Sequence, residues 1–143
     1  MVVRVRVRLK SSKGEVVTAA LANSGYGAEE PEVVVPTRVA ERLGLYPRLP
    51  ADSEVREYRG VGGVVVNAFS IKGLVSVSLL TGDREVGPAA ATVVITPGED
   101  EVILSDRMMD ALRIVLLRPG EGVWRLADEG EGSVRRSEGP ERW

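Results

Sequence analysis

The chain contains no cysteine and no histidine. Catalysis by a nucleophile and a histidine within one chain is therefore excluded. So are zinc sites of the usual Cys/His type and any disulfide. The remaining chemistry belongs to carboxylates, Lys, Arg, Tyr, hydroxyls or an oxygen-bound metal. Glutamine is absent too, asparagine occurs only at 23 and 67, and lysine only at 10, 13 and 72. Depletion of thermolabile Asn, Gln and Cys fits a thermophile, and Arg-rich, Lys-poor usage fits a GC-rich genome. Aromatic residues make up 4%, so a core must be built from Val, Leu, Ile and Ala. No apolar run approaches the roughly 20 residues of a membrane span. The start alternates Val and Arg, unlike a signal peptide. A cytoplasmic protein with no membrane partner is expected. A net charge of −2 gives no argument for a nucleic-acid partner.

A chain of 143 residues with 43% apolar content suffices for one globular domain. Its valines often alternate with polar residues, which favours strands. Residues 2 to 10 place Val3, Val5, Val7 and Leu9 on one face and Arg4, Arg6, Arg8 and Lys10 on the other. The basic face reads as a binding ribbon or, preferably, as a solvated face that charge protects from aggregation. A turn at 11–14 leads to a buried strand at 15–22. Further strands are expected near 33–35, 54–59, 63–71, 73–80, 89–96, 101–104, 113–117 and 122–126. A helix should begin at Pro36 or Thr37 and stop at Gly44. Another should follow Ser105 as N-cap, with Asp106 in its first turn. From Ala127 the apolar pattern ends, and 127–143 reads as a charged flexible tail beyond a 1–126 domain. The fold class is mainly β: a small closed barrel with two short helices.

The segment with most chemical information is Asn23-Ser24-Gly25, directly after the apolar run 16–22. After it come Val33-Val34-Val35, Pro36 to Leu45 ending in Leu-Gly-Leu, a glycine-rich hairpin at Tyr58-Arg59-Gly60-Val61-Gly62-Gly63, and Val102-Ile103-Leu104-Ser105-Asp106. In order and approximate spacing these parts resemble a retropepsin-like (clan AA) aspartic protease of archaeal or thermophile type. The likeness covers about residues 15 to 126. In that family Asp-Thr-Gly or Asp-Ser-Gly carries the catalytic acid, and the hairpin is a flap over the substrate cleft. Two subunits pair, and their two carboxylates share one proton.

The resemblance implies a homodimer with a peptide or protein ligand in a cleft on the twofold axis. Asn23, Ser24 and Gly25 would stand at the catalytic position. Tyr26, Glu29, Glu30, Tyr58, Gly60, Gly62, Gly63, Ser105 and Asp106 would line or support the binding site. The departures are Asn23 for Asp, Ser105 where the family usually has Gly, and the lengthened stretch Tyr26 to Glu30. An amide does not titrate and cannot pass a proton. Three explanations stand: a pseudo-protease that keeps its cleft for binding, an active enzyme whose Asp has been replaced, or an enzyme using Glu29, Glu30 or another acid. Taken alone, Asn at the end of a strand also reads as a turn cap. No cofactor and no metal are expected. Glu99-Asp100-Glu101 reads as a solvated acidic turn, and neither Gly25-Tyr26-Gly27 nor 60–63 is a phosphate loop.

Overall fold

The computed structural model describes residues 2–59 and 61–143, with the backbone only at Tyr58, Arg59 and Val61. Strand β1 (Arg4–Lys10) buries Val5, Val7 and Leu9, as its period of two requires, and Val3 is buried just ahead of it. It pairs antiparallel with β2 (Glu15–Ala22) on one edge. On its other edge it pairs with β5 (Val65–Leu80), from Arg6 opposite Leu80 to Lys10 opposite Ser76. Between them run β3 (Glu32–Val35), β6 (Glu85–Ile95) and β7 (Val102–Leu104). The order β1-β2-β7-β3-β6-β5 returns to β1, so six strands close into a barrel, while β4 (Glu54–Arg59) attaches to β5 outside the ring. This is the mainly β closed barrel with two short helices that the retropepsin-like resemblance implies.

The two strands expected at 63–71 and 73–80 are one long strand. Its pairing with β6 shifts register between Ile71 and Val75, around Gly73 at φ 77°. A glycine at positive φ lets the strand bulge and continue. Helix α1 (Thr37–Arg42) buries Val39 and Ala40, and Gly44 at φ 72° ends it. Helix α2 (Asp106–Ala111) buries Met108 and Met109. Strands β8 (Ile114–Arg118), β9 (Val123–Leu126) and β10 (Arg135–Arg136) form a second, three-stranded sheet. The turn between β1 and β2 is tied to the end of α1: Ser11 Oγ donates to the Leu43 carbonyl at 2.8 Å. Gly14 lies so close that a Cβ there would collide with the Arg42 carbonyl oxygen.

Two expectations change. The arginine face of β1 is neither a free basic ribbon nor simply solvated. Arg4 donates to Glu101 at 2.7 and 3.1 Å, Arg6 pairs with Glu138 and Glu141, and Arg8 pairs with Glu15 and Glu85. The segment 127–143, expected as a flexible tail, lies against the barrel. Arg135 joins Glu129 to Asp83, Arg84 holds Asp128, the Glu138 amide donates to the Arg4 carbonyl, and Trp143 packs on the core. Composition suggested disorder because too little apolar surface is available there; charge pairing and one tryptophan supply the anchorage instead.

The Arg135 guanidinium, helped by the Leu126 amide, holds the Glu129 carboxyl down at about 2. Arg135 and then Thr81 lower Asp83, and Arg84 lowers Asp128. A depressed folded value means a contribution that is complete above the ordinary carboxylate range near pH 4 and is lost as pH falls through the folded value. Acidification from about pH 4 to about pH 2 is therefore expected to loosen 127–143. Trp124, with Arg135 lying 5.9 Å from its ring centroid, should report this in fluorescence; a flat signal across that window would mean these pairs do not hold the segment. Gly14→Ala should cost about 2–3 kcal/mol in denaturant unfolding through overpacking. Gly120→Ala, which meets open space, should cost far less.

Candidate functional site

The site is assembled where β2 and β7 run parallel and end together, Ala22 beside Leu104. The Asn23 amide donates to the Leu104 carbonyl at 3.3 Å, so the chain leaves β2 still fastened to β7. It then turns on its own side chain. Asn23 Oδ1 accepts from the Gly25 amide at 3.0 Å, and the Tyr26 amide donates to the Asn23 carbonyl at 3.0 Å. This is the local turn an Asx side chain favours. A Cβ on Gly25 would lie 3.2 Å from that Oδ1, so a small residue keeps the turn unstrained. Asn23 Nδ2 has no hydrogen-bond partner among the described residues and remains a free donor.

Beneath this loop, Ser105 is the joint. It is fully buried, and its Oγ accepts from the Met108 amide at 3.1 Å, capping α2, and from the Glu32 amide at 3.0 Å. Its own amide donates to the Glu32 carbonyl at 3.1 Å. The Asp106 amide then donates to the Tyr26 carbonyl at 2.9 Å, and Asp106 Oδ1 accepts from the Ala28 amide at 3.1 Å. The hydroxyl at 105 thus ties β3 to α2, and Asp106 ties α2 to the loop.

Above the loop lies a cleft of about 580 Å³ lined by Asn23, Gly25, Tyr26, Val34, Val66, Thr96, Pro97, Gly98, Glu99 and Ile103. Its walls are largely apolar. Glu99 is the one carboxylate in that lining. Glu99 is exposed, yet partial desolvation, and then the neighbouring carboxylates of Asp100 and Glu101, raise its proton affinity. Of these three consecutive acids, Asp100 pairs with Arg142 and Glu101 with Arg4 and Arg142. Glu99 has no cationic partner among the described residues.

A second depression, about 510 Å³, is lined by Tyr26, Gly27, Ala28, Glu29, Glu30, Glu32, Arg56 and Lys72. Here Glu32 is buried, and it accepts from Tyr26 Oη at 2.7 Å and Arg56 Nη1 at 2.9 Å. Glu30 accepts from Thr92 Oγ1 at 2.8 Å and pairs with Lys72 at 3.3 Å. Those two contacts, Thr92 first, lower its proton affinity.

The residues singled out by sequence thus separate. Asn23, Gly25 and Tyr26 line the first cleft. Ser24 is exposed beside it, outside the lining. Glu29 and Glu30 belong to the second depression. Ser105 and Asp106 support the loop from below. The side chain of Tyr58 and the whole of Gly60 lie outside the described residues. Gly62 and Gly63, at φ 84° and 78°, are exposed and do not line the cleft; Val66, further along β5, does. Sequence reasoning missed Glu99 and the Tyr26–Glu32–Arg56 cluster. The turn signal Pro97-Gly98 marked the place, but nothing in it showed that its acid faces a cleft. Among the described residues no group of three or more candidate ligands is placed to hold a metal, and no helix is long and apolar enough to cross a membrane.

No protein-family model matches the chain, and no curated protein does. Among solved structures, the retroviral protease-like domain of Ddi1 from Leishmania major is similar at 15% identity and a TM-score of 0.49, over 90% of this chain and 92% of that one.

Ser105→Ala would strand two buried amides, those of Met108 and Glu32. It is expected to cost about 2 kcal/mol or more in unfolding experiments. A cost below about 0.5 kcal/mol would mean that the loop and α2 do not depend on this joint.

Proposed function

We propose that this chain is a protease-derived binding module that holds an extended peptide or protein segment in the Asn23 cleft and is catalytically silent as written. The observation that carries the reading is the placement of Asn23. It ends a buried strand, folds into a tight turn on Gly25, and lines an apolar cleft, where the resembling family keeps its acid. Asn23 Oδ1 is already committed to the turn, and its free Nδ2 can only donate. A peptide carbonyl is a suitable acceptor for it; a water molecule would find no base there. Dimerisation belongs to the same reading. β8 pairs only with β9 among the described residues, which leaves an edge to which a second copy could add a strand.

A second reading, an endopeptidase using another acid, has one observation in its favour. Glu99 lines the same cleft and holds its proton more strongly than an ordinary carboxyl. Glu29 and Glu30 suit that role less, because they line the other depression and Glu30 is engaged by Lys72 and Thr92.

Peptide-library cleavage between about pH 3 and pH 8 separates these readings, with mass spectrometry confirming residue 23. The chain as written should be silent, and Asn23→Asp should gain acid-optimal activity. Cleavage by the unchanged chain that disappears in Glu99→Gln would replace the first reading with the second. Silence in both the chain and Asn23→Asp, from folded dimers, would mean that more than one catalytic part has been lost. A monomer at micromolar concentration would remove the twofold cleft.

A further inference from the structure

The segment 137–143 does more than cover β1. It is anchored first at the arginine face: the Arg4 amide donates to Ser137 Oγ at 2.8 Å, and Arg6 is shared by Glu138 and Glu141. Glu141 also accepts from the Ala19 amide of β2 at 3.3 Å. Next, Trp143 is fixed on three sides. Its indole Nε1 donates to the buried Thr18 Oγ1 at 3.0 Å, its ring lies under the Arg42 guanidinium of α1 at 5.0 Å, and its amide donates to the Asp100 carbonyl at 2.8 Å. Beside it, Arg142 reaches the Asp100 carboxylate at 3.2 Å and Glu101 at 3.6 Å. The far end of this strap therefore grips the loop between β6 and β7. The same loop contributes Thr96, Pro97, Gly98 and Glu99 to the lining of the Asn23 cleft.

We propose that Arg142 and Trp143 are positioning residues for that cleft, latching its 97–101 wall to β2 and α1. The role deepens the binding reading above, on which its consequence for a ligand rests. The physical logic is a division of labour. The turn itself is closed by one backbone bond, from the Glu99 amide to the Thr96 carbonyl at 3.2 Å, and residues 97–100 are exposed. A loop with so few contacts opens easily on its own. The Arg142–carboxylate pairs are exposed and weak alone. The indole supplies the fixed point, because it packs on the core and satisfies a buried hydroxyl. Arg142 then carries that fixed point to the acidic wall and offsets the repulsion among its carboxylates.

The test uses the full chain carrying Arg142→Ala, Trp143→Ala, Arg142→Lys or Trp143→Phe. Two readouts are needed. Hydrogen exchange at the Glu99 amide should speed up about tenfold or more in Trp143→Ala and about two- to fivefold in Arg142→Ala. Amides of the β1–β2 ladder should stay protected. Arg142→Lys should restore part of the protection by keeping the charge. Trp143→Phe should restore less, because it loses the Thr18 bond. In the same variants built on Asn23→Asp, binding of pepstatin should weaken about five- to tenfold.

Unchanged exchange at Glu99 in both folded alanine variants would overturn the latch. Faster exchange with unchanged pepstatin affinity would overturn its positioning role. If Asn23→Asp itself binds no pepstatin, the binding reading fails, and the exchange arm still decides whether the latch exists. Should Trp143→Ala fail to fold, the exposed Arg142→Ala carries the decision.

Discussion

Strand β1 uses both of its edges, and the architecture follows from that. Pairing with β2 on one side and β5 on the other turns an open sheet into a ring. Closure removes two sheet edges and encloses one apolar face, so Val5, Val7 and Leu9 can point only inward. The alternation then forces Arg4, Arg6 and Arg8 outward in a row. A row of like charges on one strand face repels itself unless it is screened or paired. Here it is paired, by Glu15, Glu85 and Glu101 from the barrel and by Glu138 and Glu141 from the strap. Closing the barrel thus creates the surface on which the strap docks, and the strap reaches the cleft wall from there.

The site depends on a second constraint, the parallel ending of β2 and β7. Parallel neighbours deliver two loops to the same end of a sheet. One is the Asn23 turn, and the other is the start of α2. Ser105 joins α2 to β3 with a hydroxyl that accepts two amides, and Asp106 joins α2 to the turn through the Tyr26 carbonyl. The sequence departure at 105 is thus absorbed without distortion. The departure at 23 differs in kind. Asn and Asp can make the same turn, because the side-chain oxygen of either can accept from the Gly25 amide, and of the two only Asp titrates. Geometry and chemistry are therefore separable at this position.

Most of the fold was legible in the sequence because its signals are local. The period of two in 4–10, the turn at 11–14, Ser105 with Asp106 ahead of Met108 and Met109, and Gly44 after α1 all act within a few residues. The extent of β5 was not legible. Gly73 reads locally as a break, and only the register against β6 shows a bulge inside one strand. The docking of 137–143 was not legible either. Arg6 and Glu141 lie far apart in sequence, and no local pattern pairs them. Within the site, the turn residues were found because a turn is local chemistry. Glu99, Val34, Val66 and Ile103 were missed because a cleft is a property of packing. Glu29 and Glu30 were grouped with Asn23 by proximity in sequence, yet the loop carries them past Tyr26 into a different depression.

Tyr26 explains that separation and joins the two halves of the site. It lines both depressions, and its hydroxyl is held by Glu32. A carboxylate as buried as Glu32 is costly unless its oxygens are satisfied. Tyr26 takes one, and Arg56 takes the other. Arg56 belongs to β4, the strand outside the ring, so this cluster also fastens the β4–β5 hairpin to the barrel near its base. The hairpin contributes Val66 to the cleft, the 97–101 loop contributes Glu99, and the strand end contributes Asn23. Each of the three elements is held by a polar contact: the hairpin by Arg56 on Glu32, the 97–101 loop by the Trp143 amide on the Asp100 carbonyl, and the strand end by the Asn23 amide on the Leu104 carbonyl. These polar groups are spent on holding the elements together, and the cleft lining itself stays largely apolar.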